Sequence, residues 1–266
     1  MSPPLHQARK RFGQNFLHDP GVIARIVRAI DPQPGDDLIE IGPGLGALTQ
    51  PLLQRVGKMR VVELDRDVIP HLRKACGESD LLEVIQADAL KVDYGALSAG
   101  QKLRVVGNLP YNISTPLLFH LLDFAGHIRD MHFMLQKEVV QRICAAAGEP
   151  DYGRLSVSLA ARCETAYLFD VGPGAFTPAP KVHSAVVRLT PRPPPVPIAS
   201  WENFDSVVAA AFSQRRKTLT NSLRGLLDAA QIRSAGIDPG LRAERLDVAA
   251  FARLAELLPA PSAGVA

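Results

Sequence analysis

From residue 19 to residue 147 the chain alternates short apolar runs with amphipathic stretches of helical period, and nothing else in the sequence limits the fold as strongly. DDLIEIG (36–42), MRVVELD (59–65), LLEVIQAD (81–88), LRVVGN (103–108) and MHFMLQ (131–136) have the length and apolar content of strands. Helical spacing appears in DPGVIARIVRAI (19–30), LGALTQPLLQRV (45–56), VIPHLRKAC (68–76), STPLLFHLLDF (114–124) and KEVVQRICAAA (137–147). Near-continuous apolar strands separated by helices are what a parallel sheet requires when helices cover both its faces. The pattern predicts an α/β fold with a Rossmann-like sheet. Two later runs, CETAYLFDV (163–171) and HSAVVRLTP (183–191), read as an antiparallel pair closing one edge.

Five of the seven residues in PRPPPVP (191–197) are proline, which excludes a helix interior and a central strand. Beyond it the pattern turns helical, in FDSVVAAAF (204–212), TLTNSLRGLLDAA (218–230) and DVAAFARLAELL (247–258). A large α/β domain over 1–191 and a small C-terminal α-helical domain over 198–266 are expected, within what 266 residues allow. No apolar run approaches the roughly 20 residues of a membrane helix. MSPPLHQARKRFGQNFL lacks the apolar core of a signal peptide, so a cytoplasmic location without membrane attachment is expected. Cys76, Cys144 and Cys163 show neither metal nor disulfide spacing, and His120, His127 and His132 show no metal spacing. No metal is expected.

The formal charge is only +3, but it is unevenly placed. Arg9-Lys10-Arg11 and Arg215-Arg216-Lys217 form two clusters, and the stretch FSQRRKTLTNSLR (212–224) contains no acid. Two solvated faces would account for them; so would a polyanion held by Lys10, Arg11, Arg215, Arg216 and Lys217.

The first strand runs into EIGPGLGA (40–47), a glycine-rich turn before a helix, where backbone can approach a ligand closely. Gly42 opens the pattern G-x-G-x-x-A, and Glu63 ends the next strand 63 − 42 = 21 positions later, where an acid can hold ribose hydroxyls. This fingerprint permits NAD and equally permits S-adenosylmethionine. No G-x-x-x-x-G-K-[ST] occurs, which argues against a P-loop nucleotidase. Asp88, in QADAL, is either an acceptor for an adenine amine or a helix N-cap.

The fourth strand ends in Asn108-Leu109-Pro110-Tyr111. These are turn residues, yet they also suit an adenine amine. Two fixed acceptors, the Asn108 side-chain oxygen and a backbone carbonyl such as that of Leu109, favour a pyramidal N6 with a localised lone pair. Pro110 fixes the backbone direction, and Tyr111 offers a stacking face worth about 1–3 kcal/mol per base. A sulfonium methyl donor needs no strong general base, so positioning and electrostatics would carry the rate. The target base would have to be unpaired or flipped.

NLPY is similar to the (D/N/S)-P-P-(Y/F) signature of amino-group methyltransferases. With KRFGQNFL (10–17), EIGPGLGALT (40–49), ELDRD (63–67), QADAL (86–90), MLQKEVVQRI (134–143), YGRLSV (152–157), AFTPAPKVHSAVVRL (175–189) and FSQRRKT (212–218), nearly the whole chain resembles the bacterial 16S rRNA adenine N6-dimethyltransferases, the kasugamycin-resistance dimethyladenosine transferases. The resemblance implies a class I methyltransferase sheet and S-adenosylmethionine as cofactor. Its implied partner is 16S rRNA in the small ribosomal subunit, its implied state a monomer. It further implies that Asn15 and Leu17 touch the cofactor, beneath a cover that includes Gln14. Gly42 would pass the methionine part, Glu63 would hold the ribose and Asp88 the adenine amine. Asn108 would lie between cofactor and substrate, and Phe176 would stack on the base opposite Tyr111. The product would be two adjacent dimethyladenosines near the rRNA 3′ end, made in the course of subunit biogenesis. An NAD-linked oxidoreductase, which accounts for neither NLPY nor the basic clusters, and a non-catalytic ribosome-assembly binder that kept the fold stand as alternatives; the second need not exclude the enzyme.

Overall fold

The computed structural model describes residues 15–98, 100–110 and 113–260. It divides into two compact units, Met1–Val140 with Ala166–Pro191, and Gln141–Thr165 with Arg192–Ala266.

Nine strands are present among the described residues: β1 (Phe16–Leu17), β2 (Leu38–Ile41), β3 (Met59–Glu63), β4 (Leu82–Gln86), β5 (Leu103–Asn108), β6 (Ile128–Gln136), β7 (Cys163–Val171), β8 (Phe176–Thr177) and β9 (Ser184–Pro191). Seven form one sheet in the order β4-β3-β2-β5-β6-β9-β7. The first five of these pair in parallel, and β9 runs antiparallel to β6. The two C-terminal strands therefore close one edge as expected, with β9 inserted between β6 and β7. The remaining pair, β1 with β8, is a short antiparallel ribbon joining Phe16 to Thr177 and Leu17 to Phe176. Two-residue strands lie below what periodicity can reveal, and the ribbon was not legible in the sequence.

Every residue of β2 is buried, including Glu40, and Leu103 to Gly107 of β5 are buried without a break. Side chains alternate between faces along a strand, so unbroken burial means that both faces are covered. The helices of this unit are α1 (Pro20–Ile30), α2 (Thr49–Val56), α3 (Ile69–Ala75), α4 (Tyr94–Leu97) and α5 (Ser114–Asp123), with α6 (Lys137–Cys144) continuing beyond it. α1 shows why such segments become helices. The Asp19 carboxylate accepts from the Val22 amide at 2.9 Å, and Pro20 starts the helix without wasting a donor. Ile26, Val27 and Ile30 then face one apolar core with Leu52 and Val56 of α2 and Leu38, Val61 and Val106 of the sheet.

The second unit has its own core, built by α7 (Arg154–Ala160), α8 (Trp201–Ala211), α9 (Leu219–Ser222), α10 (Ala229–Ser234) and α11 (Val248–Ala255). Two expectations are corrected here. Residues 141–165 belong to this unit rather than to the 1–191 domain, because Tyr152, Val157 and Ala161 are buried with Phe204, Leu219 and Phe251. The Tyr152 hydroxyl also donates to the Leu246 carbonyl at 2.8 Å. Residues 218–230 do not form one helix. Gly225 takes φ +94° between α9 and α10, and Asp228 opens a new helix through a reciprocal cap with Gln231.

No helix among the described residues is long and apolar enough to cross a membrane. Nor do the described residues hold a group of three or more His, Cys, Asp or Glu arranged for a metal ion.

Candidate active site

The chain runs outward from β2 through β3 to β4, then returns to the other side of β2 for β5 and β6. Strand order reverses between β2 and β5, and in open α/β sheets ligands bind beyond the carboxyl ends of strands at such a switch. Gly42, Glu63, Asp88 and Asn108 all lie at or just past those ends and line one cavity of about 380 Å³. Asn15, Leu17 and Phe176 line it too, brought there by the β1–β8 ribbon.

The floor of the cavity is set by two close approaches. Gly44 takes φ +55°, and a Cβ there would stand 3.3 Å from the Phe16 ring, so the glycine turn lies directly under the N-terminal ribbon. A Cβ on Gly107 would stand 2.5 Å from the Ile41 carbonyl, closer than any side chain permits. Gly107 thus lets the ends of β5 and β2 come together. The Gly42 amide is already bonded to the Val62 carbonyl at 2.9 Å, so Gly42 offers close backbone approach rather than a free donor.

Glu63 is 8% exposed and accepts from the Asp65 amide at 2.8 Å. Burial pushes its carboxyl above the ordinary range against the pull of the Asp65, Gly44 and Leu64 amides. Asp88 is half-buried, and its carboxylate accepts from the Leu90 amide at 3.0 Å. No helix begins there; the cap of α4 is Asp93, which accepts from the Ala96 amide at 2.9 Å. The N-cap reading of Asp88 therefore falls away.

At the end of β5 the Asn108 Nδ2 donates to the Asn15 carbonyl at 3.3 Å. The Leu109 amide donates to the Met134 carbonyl at 3.1 Å, and the Pro110 carbonyl accepts from the Ile113 amide at 3.2 Å. NLP is thus a turn and a cavity wall at once. Phe176 is 4% exposed, belongs to the apolar core and borders the cavity. Tyr111, Lys10, Arg11 and Gln14 lie outside the described residues. Arg215, Arg216 and Lys217 are exposed in the turn between α8 and α9, where Arg215 donates to the Pro150 carbonyl.

Sequence reading assigned no role to Glu40, although it stands two positions before Gly42. It is 2% exposed, lines the cavity and accepts from the Thr49 hydroxyl at 2.6 Å. Burial, with a smaller push from Glu63, holds its carboxyl up at about 7 against that hydrogen bond. A lone acid inside an apolar strand was the available signal.

The lining chemistry separates the two cofactors that the fingerprint permitted. Glu40, Glu63, Asp65 and Asp88 border the cavity, and among the described residues no lysine or arginine does. Such a wall disfavours a pyrophosphate and favours a ligand with a cationic centre, an amine and hydroxyl donors. S-adenosylmethionine has all three.

A Rossmann-like sheet whose switch-point cavity is acidic and ends in Asn-Leu-Pro defines a nucleoside-cofactor amino-group methyltransferase. The ribosomal RNA adenine dimethylase family matches residues 5–259, and the chain belongs to it. The chain is 57% identical over 255 residues to Ribosomal RNA small subunit methyltransferase A of Pseudomonas aeruginosa, covering 95% of both chains. It is 55% identical over 253 residues to the protein of that name from Methylococcus capsulatus, covering 95% of this chain and 98% of the relative. Among solved structures, a dimethyladenosine transferase from Plasmodium falciparum superposes with a TM-score of 0.74 at 26% identity, over 90% of this chain and 95% of that one. The 23S rRNA methyltransferase ErmE does so with a TM-score of 0.72 at 27% identity, over 92% and 99%.

Proposed function

We propose that the chain transfers methyl groups from S-adenosylmethionine to the N6 amines of two adjacent adenosines near the 3′ end of 16S rRNA, two per amine, during small-subunit biogenesis. The observation that carries this reading is the meeting of Asn108 with Gly42, Glu63 and Asp88 on one acidic cavity.

When bound, S-adenosylmethionine supplies an electrophilic methyl group on a sulfonium that departs as a neutral thioether. The protein's work is to hold and to orient. Glu63 accepts from the ribose hydroxyls and Asp88 from the cofactor's adenine amine, with Gly42, Asn15 and Leu17 closing around the rest. The donor end of the Asn108 amide is held by the Asn15 carbonyl, which leaves Oδ1 to accept from the substrate N6–H. Pro110 has its carbonyl engaged by Ile113, so Leu109 supplies the second acceptor. Two acceptors draw N6 out of conjugation and aim its lone pair. Tyr111 and Phe176 stack on the base. Once N6 has accepted a methyl group it is strongly acidic, and its proton leaves without a dedicated base. A monomethylated N6 keeps one hydrogen, so the second transfer proceeds with one acceptor satisfied. Lys10, Arg11, Arg215, Arg216 and Lys217 contact rRNA phosphates.

The test incubates the protein with labelled cofactor and small subunits lacking the modification, then maps dimethyladenosine by mass spectrometry. Absence of label from 16S rRNA overturns the reading. The likeness to ErmE favours a second substrate, and a parallel arm with unmodified large subunits decides between them. Neutralising Arg215, Arg216 and Lys217 together is expected to weaken binding and flatten its salt dependence.

A further inference from the structure

A second cavity, of about 520 Å³, lies between α1 and α2, outside the site described above. Its floor is apolar, formed by Ile23, Val27 and Pro51, and its rim carries Arg28, Gln50, Gln54 and Arg55. Both arginines are exposed in the last turn of their helices, and among the described residues neither guanidinium has an ion pair or a hydrogen bond. Asp31, the one acid on the rim, accepts from the Gln33 side-chain Nε2 at 3.0 Å. Ala47 lines this groove and also the acidic cavity.

That juxtaposition is unusual in its charge. The acidic cavity repels a phosphodiester backbone, so an RNA that delivers one base to it must carry its phosphates elsewhere. Here a neighbouring groove offers two unpaired guanidiniums, which match phosphate oxygens in a forked geometry. Two glutamines, four residues apart on α2 and so on one face, add amide donors and acceptors suited to sugar and phosphate. We propose that the α1–α2 groove binds the single-stranded rRNA backbone adjoining the target adenosine, with Arg28 and Arg55 on two phosphates. This rests on the rRNA reading given above. The occupant follows from charge complementarity and from the shared Ala47 wall.

The test uses the full chain and its Arg28→Glu/Arg55→Glu variant, with Arg28→Lys/Arg55→Lys as the charge-keeping control. Binding is measured across salt concentrations to two probes, a protein-free 3′-terminal 16S rRNA fragment and intact unmodified small subunits. The slope of log affinity against log salt is expected to become shallower by about 1.4 for both probes in the glutamate variant, at about 0.7 per single-strand phosphate contact. It is expected to stay near the parent value in the lysine variant. Affinity for S-adenosylhomocysteine is expected to be unchanged in both, and melting temperature to be unchanged in the lysine variant and lowered by a few degrees in the glutamate variant, which places two acids in the last turns of α1 and α2. An unchanged slope in a folded glutamate variant overturns the proposal. So does weakened binding to intact subunits alone, which would give the groove to a ribosomal protein. If the parent chain labels no RNA at all, the failure belongs to the rRNA reading instead.

Discussion

Asn108 and Asn15 stand 93 positions apart, yet the side-chain Nδ2 of one donates to the backbone carbonyl of the other at 3.3 Å. This bond ties the end of β5 to the N-terminal segment, and in the proposed mechanism it leaves the amide oxygen as the end offered to substrate. In that mechanism Asn108→Ala removes an acceptor needed mainly in the transition state. The rate of methyl transfer is expected to fall by about 10²–10³, the range seen when one preorganised polar group is lost. Asn108 is only half-buried, so the melting temperature should move little. Single-turnover transfer beside a thermal melt checks both; full activity in the variant would refute the assigned role.

Glu40 gives the site a pH dependence of defined sign. Its folded carboxyl titrates at about 7, above the 4.5 of an unfolded glutamate, so the folded state holds more protons between these values. Stability from this group is complete below the unfolded value and is lost as pH rises through the folded one. Glu40→Gln keeps a partner for the Thr49 hydroxyl and has no charge to desolvate. The variant is expected to match the parent near pH 4.5 and to be more stable above pH 7, by up to about 3 kcal/mol. Denaturant midpoints at pH 5 and pH 8 measure the difference, and a pH-independent gap would refute it.

The switch-point cavity was legible in the sequence because its parts are local. A glycine turn after a strand, an acid 21 positions on, a second acid and NLP each announce themselves within a few residues. What escaped was made by pairing across distance. The β1–β8 ribbon joins Phe16 to Thr177, and no periodicity marks two residues. Tyr152 and Val157 join the helical unit through burial against residues beyond the proline run, so that run marks only one of the places where the chain passes between units. Glu40 was visible but mute, since only burial reveals that its carboxyl is unusual.

Gly107 sits where a side chain has no room. An added Cβ would meet the Ile41 carbonyl oxygen at 2.5 Å, and both partners are backbone of neighbouring strands. Gly107→Ala must therefore push the end of β5 away from β2, at a cost of about 1–3 kcal/mol. Because the displaced end carries Asn108, the rate of transfer should fall further than stability explains, while RNA affinity is retained. Comparing kcat, RNA affinity and urea midpoint separates the two effects. A variant with lowered stability and unchanged kcat would show that the strand end relaxes without moving Asn108.

Arg104 holds the opposite end of the same strand. Its Nε donates to both carboxylate oxygens of Asp130 at 3.1 Å, and Nη1 donates to Asp36 at 2.6 Å. The remaining donors reach the Ile30 carbonyl at 2.5 Å and the Asp31 carbonyl at 3.1 Å, so one guanidinium closes the end of α1 onto the sheet. Burial pushes Asp36 and Asp130 upward, but their hydrogen bonds and the guanidinium charge outweigh it, and both titrate below the ordinary range. Carboxyls lowered in the folded state stabilise above their unfolded value, and that stability is lost as pH falls through the folded one. Arg104→Met keeps much of the side chain's bulk but leaves two buried carboxylates, with Arg129 still near Asp36 at 3.2 Å. The cost at pH 7.5 is expected to be about 3–5 kcal/mol, the range for removing one member of a buried ionic cluster. Protonation relieves the stranded carboxylates, so the gap between parent and variant should narrow from pH 7.5 to pH 4. Urea midpoints at both values test this, and a gap that widens in acid would mean that the cluster is not held by Arg104.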